Sequence, residues 1–418
     1  MSTRQKGFFG FFFLLALTTL FVSIRPQKSG AANHADRPVY GTRGPYRVGV
    51  RDLMLERERP LPLVIWYPAT PDDNAQEARS YPYKIKMGVP FGRVTLATTA
   101  GQAVENAPYD LSAAPYPLVV LSPGFAIGST SYAWLAEHLA SYGFVVISPE
   151  HDETLDPQDE LWSAAITRPQ DILAVFAYVD EQVQAGGVLD RLVDAAVTAV
   201  IGHSYGGYTA LAAAGAQIDT ASFESHCQNA QETEDPTAWL CAMLRPRLAE
   251  MAGLAGLDAV PAGLWPEWVD SRVHAIVPMA GDAFFFGQVG LAEITVPLLA
   301  IGGTADKDSP YTWGTQPTYE YVSSARKARV ALNDAGHMIF TNSCESIPLY
   351  AKLLVGEFCA DAVWDRNEAH DLVNHFTTAF LLAELKHDAD AATVLAPDTA
   401  VSGNTAVFPG VIYAAQGY

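Results

Sequence analysis

Between residues 118 and 216, three short and almost continuous apolar runs are each followed by a helical pattern, an alternation that leaves the chain few possible folds. LVVLS at 118–122 precedes a helix at 134–142, FVVIS at 144–148 precedes one at 169–183, and AVTAVIG at 196–202 precedes one at 208–216. A strand with one wet face would alternate apolar and polar residues. These do not, so both of their faces must be covered, as happens in a parallel sheet flanked by helices. Further strands are predicted at 273–279, 297–302 and 329–333, and a closing helix at 368–386. Ahead of them, 46–55 and 61–67 read as an antiparallel pair separated by the charged ERER segment. The expected fold is therefore α/β, a doubly wound and mostly parallel sheet. About 55 residues, 217–272, interrupt the rhythm and hold Cys227, Cys241, Trp239, Trp265 and Trp268. They are expected to form a helical insertion over the carboxyl edge of the sheet, where ligands bind in open α/β sheets.

Composition narrows the class of function. With 49% hydrophobic and 17% charged residues in 418, the chain can bury a full core and is neither disordered nor collagen-like. Its net charge of -20 repels phosphate backbones, so nucleic acid is not an expected partner. Arg4 and Lys6 precede an uncharged run at 7–24, followed by small residues at 29–32, the plan of a secretory signal. The run also just reaches membrane-spanning length, so an uncleaved anchor at the outer face of the membrane is the competing expectation. The domain plan is thus a signal or anchor at 1–35, an α/β domain at 36–396 with its insertion, and a C-terminal tail at 397–418. Export permits disulfides; the simplest pairings are Cys227 with Cys241 and Cys344 with Cys359, and four buried thiols are the alternative. No C-x-x-C spacing suggests zinc or a redox pair.

Residues 202–206 read Gly-His-Ser-Tyr-Gly, a G-x-S-x-G match that is weak alone. Its context is stronger: an apolar strand enters it and a small-residue helix leaves it, the strand, sharp turn and helix that expose a serine. Gly202 and Gly206 are expected because a Cβ at either place would strike neighbouring backbone. A serine hydroxyl needs a general base, which in this architecture follows the acid in chain order. His337, in NDAGHMIF just after the last predicted strand, fits. His203 lies inside the elbow, His138, His370 and His375 on helices, His34 near the signal, His226 in the insertion, His274 at a strand start and His387 near the end of the closing helix. Asp306, in GGTADKDSP, is the expected acid, with Asp308 solvent-exposed and Asp282, after the preceding strand, as competitor. Its role would be to orient the imidazole and stabilise the imidazolium. The amides of Tyr205, after the nucleophile, and of Phe125, in the LSPGFAIGST loop, are the expected oxyanion donors. His151, Asp152 and Glu153 could suggest a metal site, but adjacent residues on an extended turn diverge, so they read as a polar loop. No metal or cofactor is expected. Trp265, Phe284 and Trp313, with Phe285, Phe286 and Trp268, either line an apolar pocket or belong to the core.

Through LPLVIWYPAT, PGFAIGSTSYAWLAEHLASYGFVVISPEHDE, RPQDI, GHSYGG, GGTADKDSP and NDAGHMIF, the chain resembles the α/β-hydrolase superfamily over about 46–388. Within it the pieces are similar to the group of platelet-activating-factor acetylhydrolases and dienelactone-hydrolase-like proteins. The resemblance implies a cofactor-free serine esterase of short acyl esters, with Ser204, Asp306 and His337 as triad and Phe125 and Tyr205 as oxyanion donors. Dienelactone hydrolases proper use a cysteine at the position of Ser204. PGFAIGST and LASYGFVVIS are also similar to secreted polyester hydrolases of the cutinase kind, from whose compact form the insertion at 217–272 departs. The expected function is an exported serine carboxylic-ester hydrolase acting on a small-molecule or lipid-like ester. A polyester hydrolase or lipase, a peptidase or amidase of the same fold, and a catalytically silent binding protein are the alternatives.

Overall fold

The computed structural model describes residues 38–70, 78–155, 157–353, 355–397, 401–402, 405–406 and 408–418. The signal or anchor expected over 1–35 lies outside the described residues. Among the described residues no helix is long and apolar enough to cross a membrane.

Eleven strands form one mixed sheet. Its parallel centre consists of β5 (Tyr116–Ser122), β6 (Val145–Pro149), β7 (Val193–His203), β8 (Val273–Met279), β9 (Leu298–Gly303) and β10 (Lys327–Leu332). The order β6, β5, β7, β8 reverses direction at β5, so the carboxyl ends of β5 and β7 lie side by side at a topological switch point. On the β6 side come β2 (Leu61–Ala69) and β1 (Arg47–Leu55), the expected antiparallel pair, with Arg47 opposite Ala69. Beyond β1 lies a hairpin that the sequence pattern did not reveal, β3 (Ala78–Lys86) and β4 (Arg93–Glu105). Its residues such as Thr, Gln, Lys and Arg alternate irregularly, as suits strands at an edge.

Alternate residues of the central strands enter two separate cores. Leu118 and Val120 join one, Val119 and Leu121 the other, and all four are fully buried. This two-sided burial is the cause of the continuous apolar runs. One face is covered by α1 (Ala133–Ser141) and α7 (Arg366–Leu385), the other by α2 (Pro157–Gln182) and α3 (Tyr205–Ala213). Helix α2 starts twelve residues before the expected 169 and contains Pro169 in its interior.

The segment 217–272 contains α4 (Thr220–Glu232), α5 (Ala238–Leu244) and α6 (Leu248–Leu254), with Cys227 of α4 bonded to Cys241 of α5. Cys344 is bonded to Cys359. Both local pairings are thus formed. Between Cys344 and Cys359 the chain forms a 3-10 turn, Ala351–Leu353, and a short helix, Gly356–Cys359; Pro348 and Gly356 both disfavour a continuous helix. Within the segment expected as a C-terminal tail, Val411–Gln416 pairs antiparallel with β10 and closes that edge of the sheet.

Candidate active site

Ser204 stands between β7 and α3 at φ 57° and ψ -123°, a conformation that L residues rarely adopt. The glycines around it make this turn possible. A Cβ on Gly202 would lie 1.9 Å from the carbonyl oxygen of Gly206, and one on Gly206 would lie 2.0 Å from that of Ser122. No side chain could move to relieve either contact, since both are with backbone. The elbow is tied down by the amide of Ser204, which donates to the Met279 carbonyl at 2.9 Å. Strain of this kind costs about 1–3 kcal/mol and persists only where the surroundings impose it.

His337 opens a 3-10 turn, His337–Phe340, just beyond β10. Its Nδ1 lies 2.7 Å from Oδ2 of Asp306. The other oxygen of Asp306 accepts from the amides of Asp308 and Ser309, each at 2.9 Å, which fixes the carboxylate in the turn after β9. The ring's backbone carbonyl is met by Nε2 of His203 at 3.1 Å. Burial alone would lower the imidazole's affinity for a proton, but the charge and hydrogen bond of Asp306 outweigh it, helped by Asp308 and Asp282, and raise its pKa to about 9.

A cavity of about 210 Å³ is lined by Ser204, Tyr205, His337 and Phe125 together. Phe125 and Tyr205 share a second property. Gly124 donates its amide to the Tyr132 hydroxyl, Ala126 to Glu153 and Ile127 to the Gly124 carbonyl. Among the described residues the amides of Phe125 and Tyr205 have no such partner. Asp282 and Asp308 also line it. Asp282 is not bonded to His337; it accepts from the Ser309 hydroxyl at 2.7 Å, and burial, acting before any charge, raises its pKa to about 7.

The aromatic residues offered as pocket lining are placed elsewhere. Trp265, Phe284 and Trp313 are buried in the core, where Trp265 donates to the Thr220 hydroxyl and Trp313 meets His226 edge-on, with ring centroids 4.0 Å apart. The cavity's apolar wall comes instead from Trp239 and Leu240 of the insertion, Ile85 of the hairpin and Phe358 of the short helix. None of these carries a local signal of its role, although Leu240 adjoins Cys241 and Phe358 adjoins Cys359. The His151 cluster divides as expected of a turn. His151 lies between Asp171, at 2.7 Å, and Ser122, at 2.9 Å, Glu153 pairs with Arg168, and Asp152 is exposed.

A family model described as PET hydrolase-like matches residues 79–237. The chain is 30% identical to Cutinase 1 of Thermobifida cellulosilytica over 268 residues, 64% of this chain and 76% of that one. It is 25% identical to the bis(hydroxyethyl) terephthalate hydrolase of Streptomyces coelicolor over 293 residues, 70% of this chain and 72% of that one. Among solved structures, a ferulic acid esterase from Streptomyces cinnamoneus shares the fold, with a TM-score of 0.54 and 20% identity over 92% of this chain and 98% of that one. Both disulfides suit the export expected from the sequence. The chain belongs to the PET hydrolase-like family of serine esterases, built on the α/β-hydrolase fold.

Proposed function

We propose that the protein is an exported hydrolase of short-acyl or otherwise small carboxylic esters, with Ser204 as nucleophile, His337 as general base and Asp306 as its partner. The observation that carries this reading is the 2.7 Å contact of His337 with Asp306 beside the cavity that also holds Ser204. In the first half-reaction Oγ of Ser204 bonds to the ester carbonyl carbon while Nε2 of His337 takes its proton. The carbonyl oxygen becomes an oxyanion facing the amides of Phe125 and Tyr205. Collapse breaks the bond to the alkoxy group, which leaves as alcohol with the proton from His337. Water then repeats the sequence on the acyl-enzyme and frees the acid.

The small volume of the cavity supports a small acyl group. Likeness to a relative named for bis(hydroxyethyl) terephthalate, a small diester with an aromatic acyl part, supports the wider class of small esters. Polyester hydrolysis is the second reading, favoured by the likeness to cutinases. Residues 1–35 would direct export, and retention of 7–24 would anchor the enzyme at the outer face of the membrane.

A screen over p-nitrophenyl esters from acetyl to palmitoyl, with bis(hydroxyethyl) terephthalate, a polyester film and a peptide amide alongside, tests the assignment. Highest kcat/KM on acetyl or butyryl esters is expected, with the peptide left intact. A maximum at palmitoyl, or turnover of the film without turnover of the small esters, would overturn the short-acyl assignment.

A further inference from the structure

Beneath the loop that carries Phe125 lies a guanidinium that no step above employs. Arg168, on α2, is 1% exposed. Its Nη1 donates to the Pro123 carbonyl at 2.6 Å and its Nη2 to that of Gly124 at 3.1 Å. Its Nε donates to Oε2 of Glu153 at 2.9 Å, and Nη2 also reaches Oε1 of the same carboxylate. That Oε1 in turn accepts the amide of Ala126 at 2.8 Å. The pair therefore grips the loop on both sides of Phe125, two carbonyls before it and one amide after it.

The grip has a conformational purpose. Ala126 sits at φ 56°, in the left-handed region that costs an L residue energy, so the turn needs an external hold. Glu153 supplies it through the amide. With the amides of Gly124, Ala126 and Ile127 all engaged, the one in this loop left without a partner among the described residues is that of Phe125. The same guanidinium also lies over the ring of Tyr205, 5.6 Å from its centroid, and the Phe125 ring meets that of Tyr205 edge-on at 5.9 Å. The hydroxyl of Tyr205 donates to Leu161 on α2 at 2.8 Å. One buried side chain thus holds the Gly124 carbonyl, in the same peptide unit as the Phe125 amide, and lies over the ring of Tyr205. Burial would raise the Glu153 carboxyl, but Arg168 holds it below its usual range, so the pair stays ionised and its charges largely offset one another.

We propose that Arg168, locked by Glu153, is a positioning residue that holds the Phe125 and Tyr205 amides at the separation an oxyanion requires. This rests on the reading of those amides as the oxyanion donors. A lysine at 168 would keep the charge opposite Glu153, but its single nitrogen could not serve two carbonyls and a carboxylate in the same plane.

The test uses the exported full chain with Arg168→Lys and with the double change Arg168→Met/Glu153→Met, which leaves no unpaired buried charge. Steady-state hydrolysis of p-nitrophenyl acetate is measured with the inhibition constant of phenylboronic acid, which forms a tetrahedral adduct on a nucleophilic serine, and with melting temperature. The expected result is a fall in kcat of about 10-fold to 100-fold in the double variant, since a displacement of about 1 Å can cost 10²-fold. KM should stay within about twofold, the boronate constant should rise by the same factor as kcat falls, and the lysine variant should recover part of the loss. Parental kcat and boronate affinity in the folded variants would overturn the proposal, as would a loss confined to KM. If the double variant does not fold, the lysine variant alone decides between these outcomes. Full hydrolysis by Ser204→Ala, or a parent enzyme indifferent to the boronate, would instead overturn the underlying reading of the site.

Discussion

Ser204 and His337, the proposed nucleophile and base, occupy two parts of the molecule built on opposite principles. Ser204 is placed by its own backbone: the strand before it, the helix after it and two glycines that no other residue could replace leave the turn one arrangement. His337 is placed by distant parts of the chain. Its 3-10 turn leads into a stretch with little regular structure, and what holds that stretch is Arg366 of α7, which donates to the carbonyls of Thr341 and Asn342, each at 3.1 Å. The Asn342 amide bonds to Ser131 at 2.7 Å, and Cys344 is joined to Cys359. A locally determined turn tolerates changes elsewhere, whereas a loop held by tethers can lose its geometry while the fold survives. The two regions should therefore fail differently.

The largest effects test the reacting groups themselves. Ser204→Ala and His337→Ala should each lower kcat on p-nitrophenyl acetate by about 10⁴-fold or more, with unchanged circular dichroism. Comparable losses in both would place the two residues in one unit, and full activity in either would remove it from the mechanism.

Next comes the choice of acid. Asp306→Asn should cost about 10³-fold to 10⁴-fold in kcat, because the amide would favour the wrong imidazole tautomer. Asp282→Asn should cost less than about tenfold, as its contact is with Ser309. The reverse ranking would show that the acid is supplied after β8 and not after β9.

The tether to the base is tested by opening the bond between Cys344 and Cys359. The double change Cys344→Ser/Cys359→Ser should lower kcat by up to about 10²-fold while the protein remains folded at room temperature. It should also lower stability by about 3 kcal/mol, the chain-entropy value for a loop of about 15 residues. Equal sensitivity of kcat to opening Cys227–Cys241, which ties α4 to α5 in the insertion, would erase the contrast between the two regions.

A smaller effect is expected with pH. In the proposed mechanism the free base is the active form of His337, whose pKa is raised to about 9, so kcat/KM should climb about tenfold per unit toward pH 9 and then level. The same shift stabilises the folded state at low pH, where the imidazolium is paired with Asp306, and this contribution is lost as pH rises through about 9. Removal of the Asp306 charge should move the kinetic inflection down toward 6.5, the ordinary value for histidine. An inflection that stays near 9 in Asp306→Asn would assign it to another group.

The central sheet and the elbow were legible because each depends on neighbours along the chain. Continuous apolar runs report burial on both faces, and G-x-S-x-G between a strand and a small-residue helix reports a turn that only glycine permits. Chain order singled out His337 among ten histidines and Asp306 ahead of Asp308, and these two side chains do meet, at 2.7 Å. What the pattern did not carry was anything set by approach in space. Trp265, Phe284 and Trp313 are apolar whether they face a cavity or a core, and packing against His226 and Thr220 decided for the core. Trp239, Leu240, Ile85 and Phe358 come from three places in the chain and acquire their role only where the insertion, the hairpin and the disulfide-bonded loop converge.

By itself, then, the sequence determined the layered α/β architecture and the strained turn at Ser204, since hydrophobic periodicity and backbone sterics act over a few residues. Only the tertiary structure decided the shape of the cavity, the strand that 411–416 adds to the sheet, and the burial of Arg168 against Glu153 under the Phe125 loop. The physical reason is that a charge is removed from water only when its partners arrive from elsewhere. Arg168 and Glu153 lie 15 residues apart in the chain, and before folding both are simply charged residues in solvent.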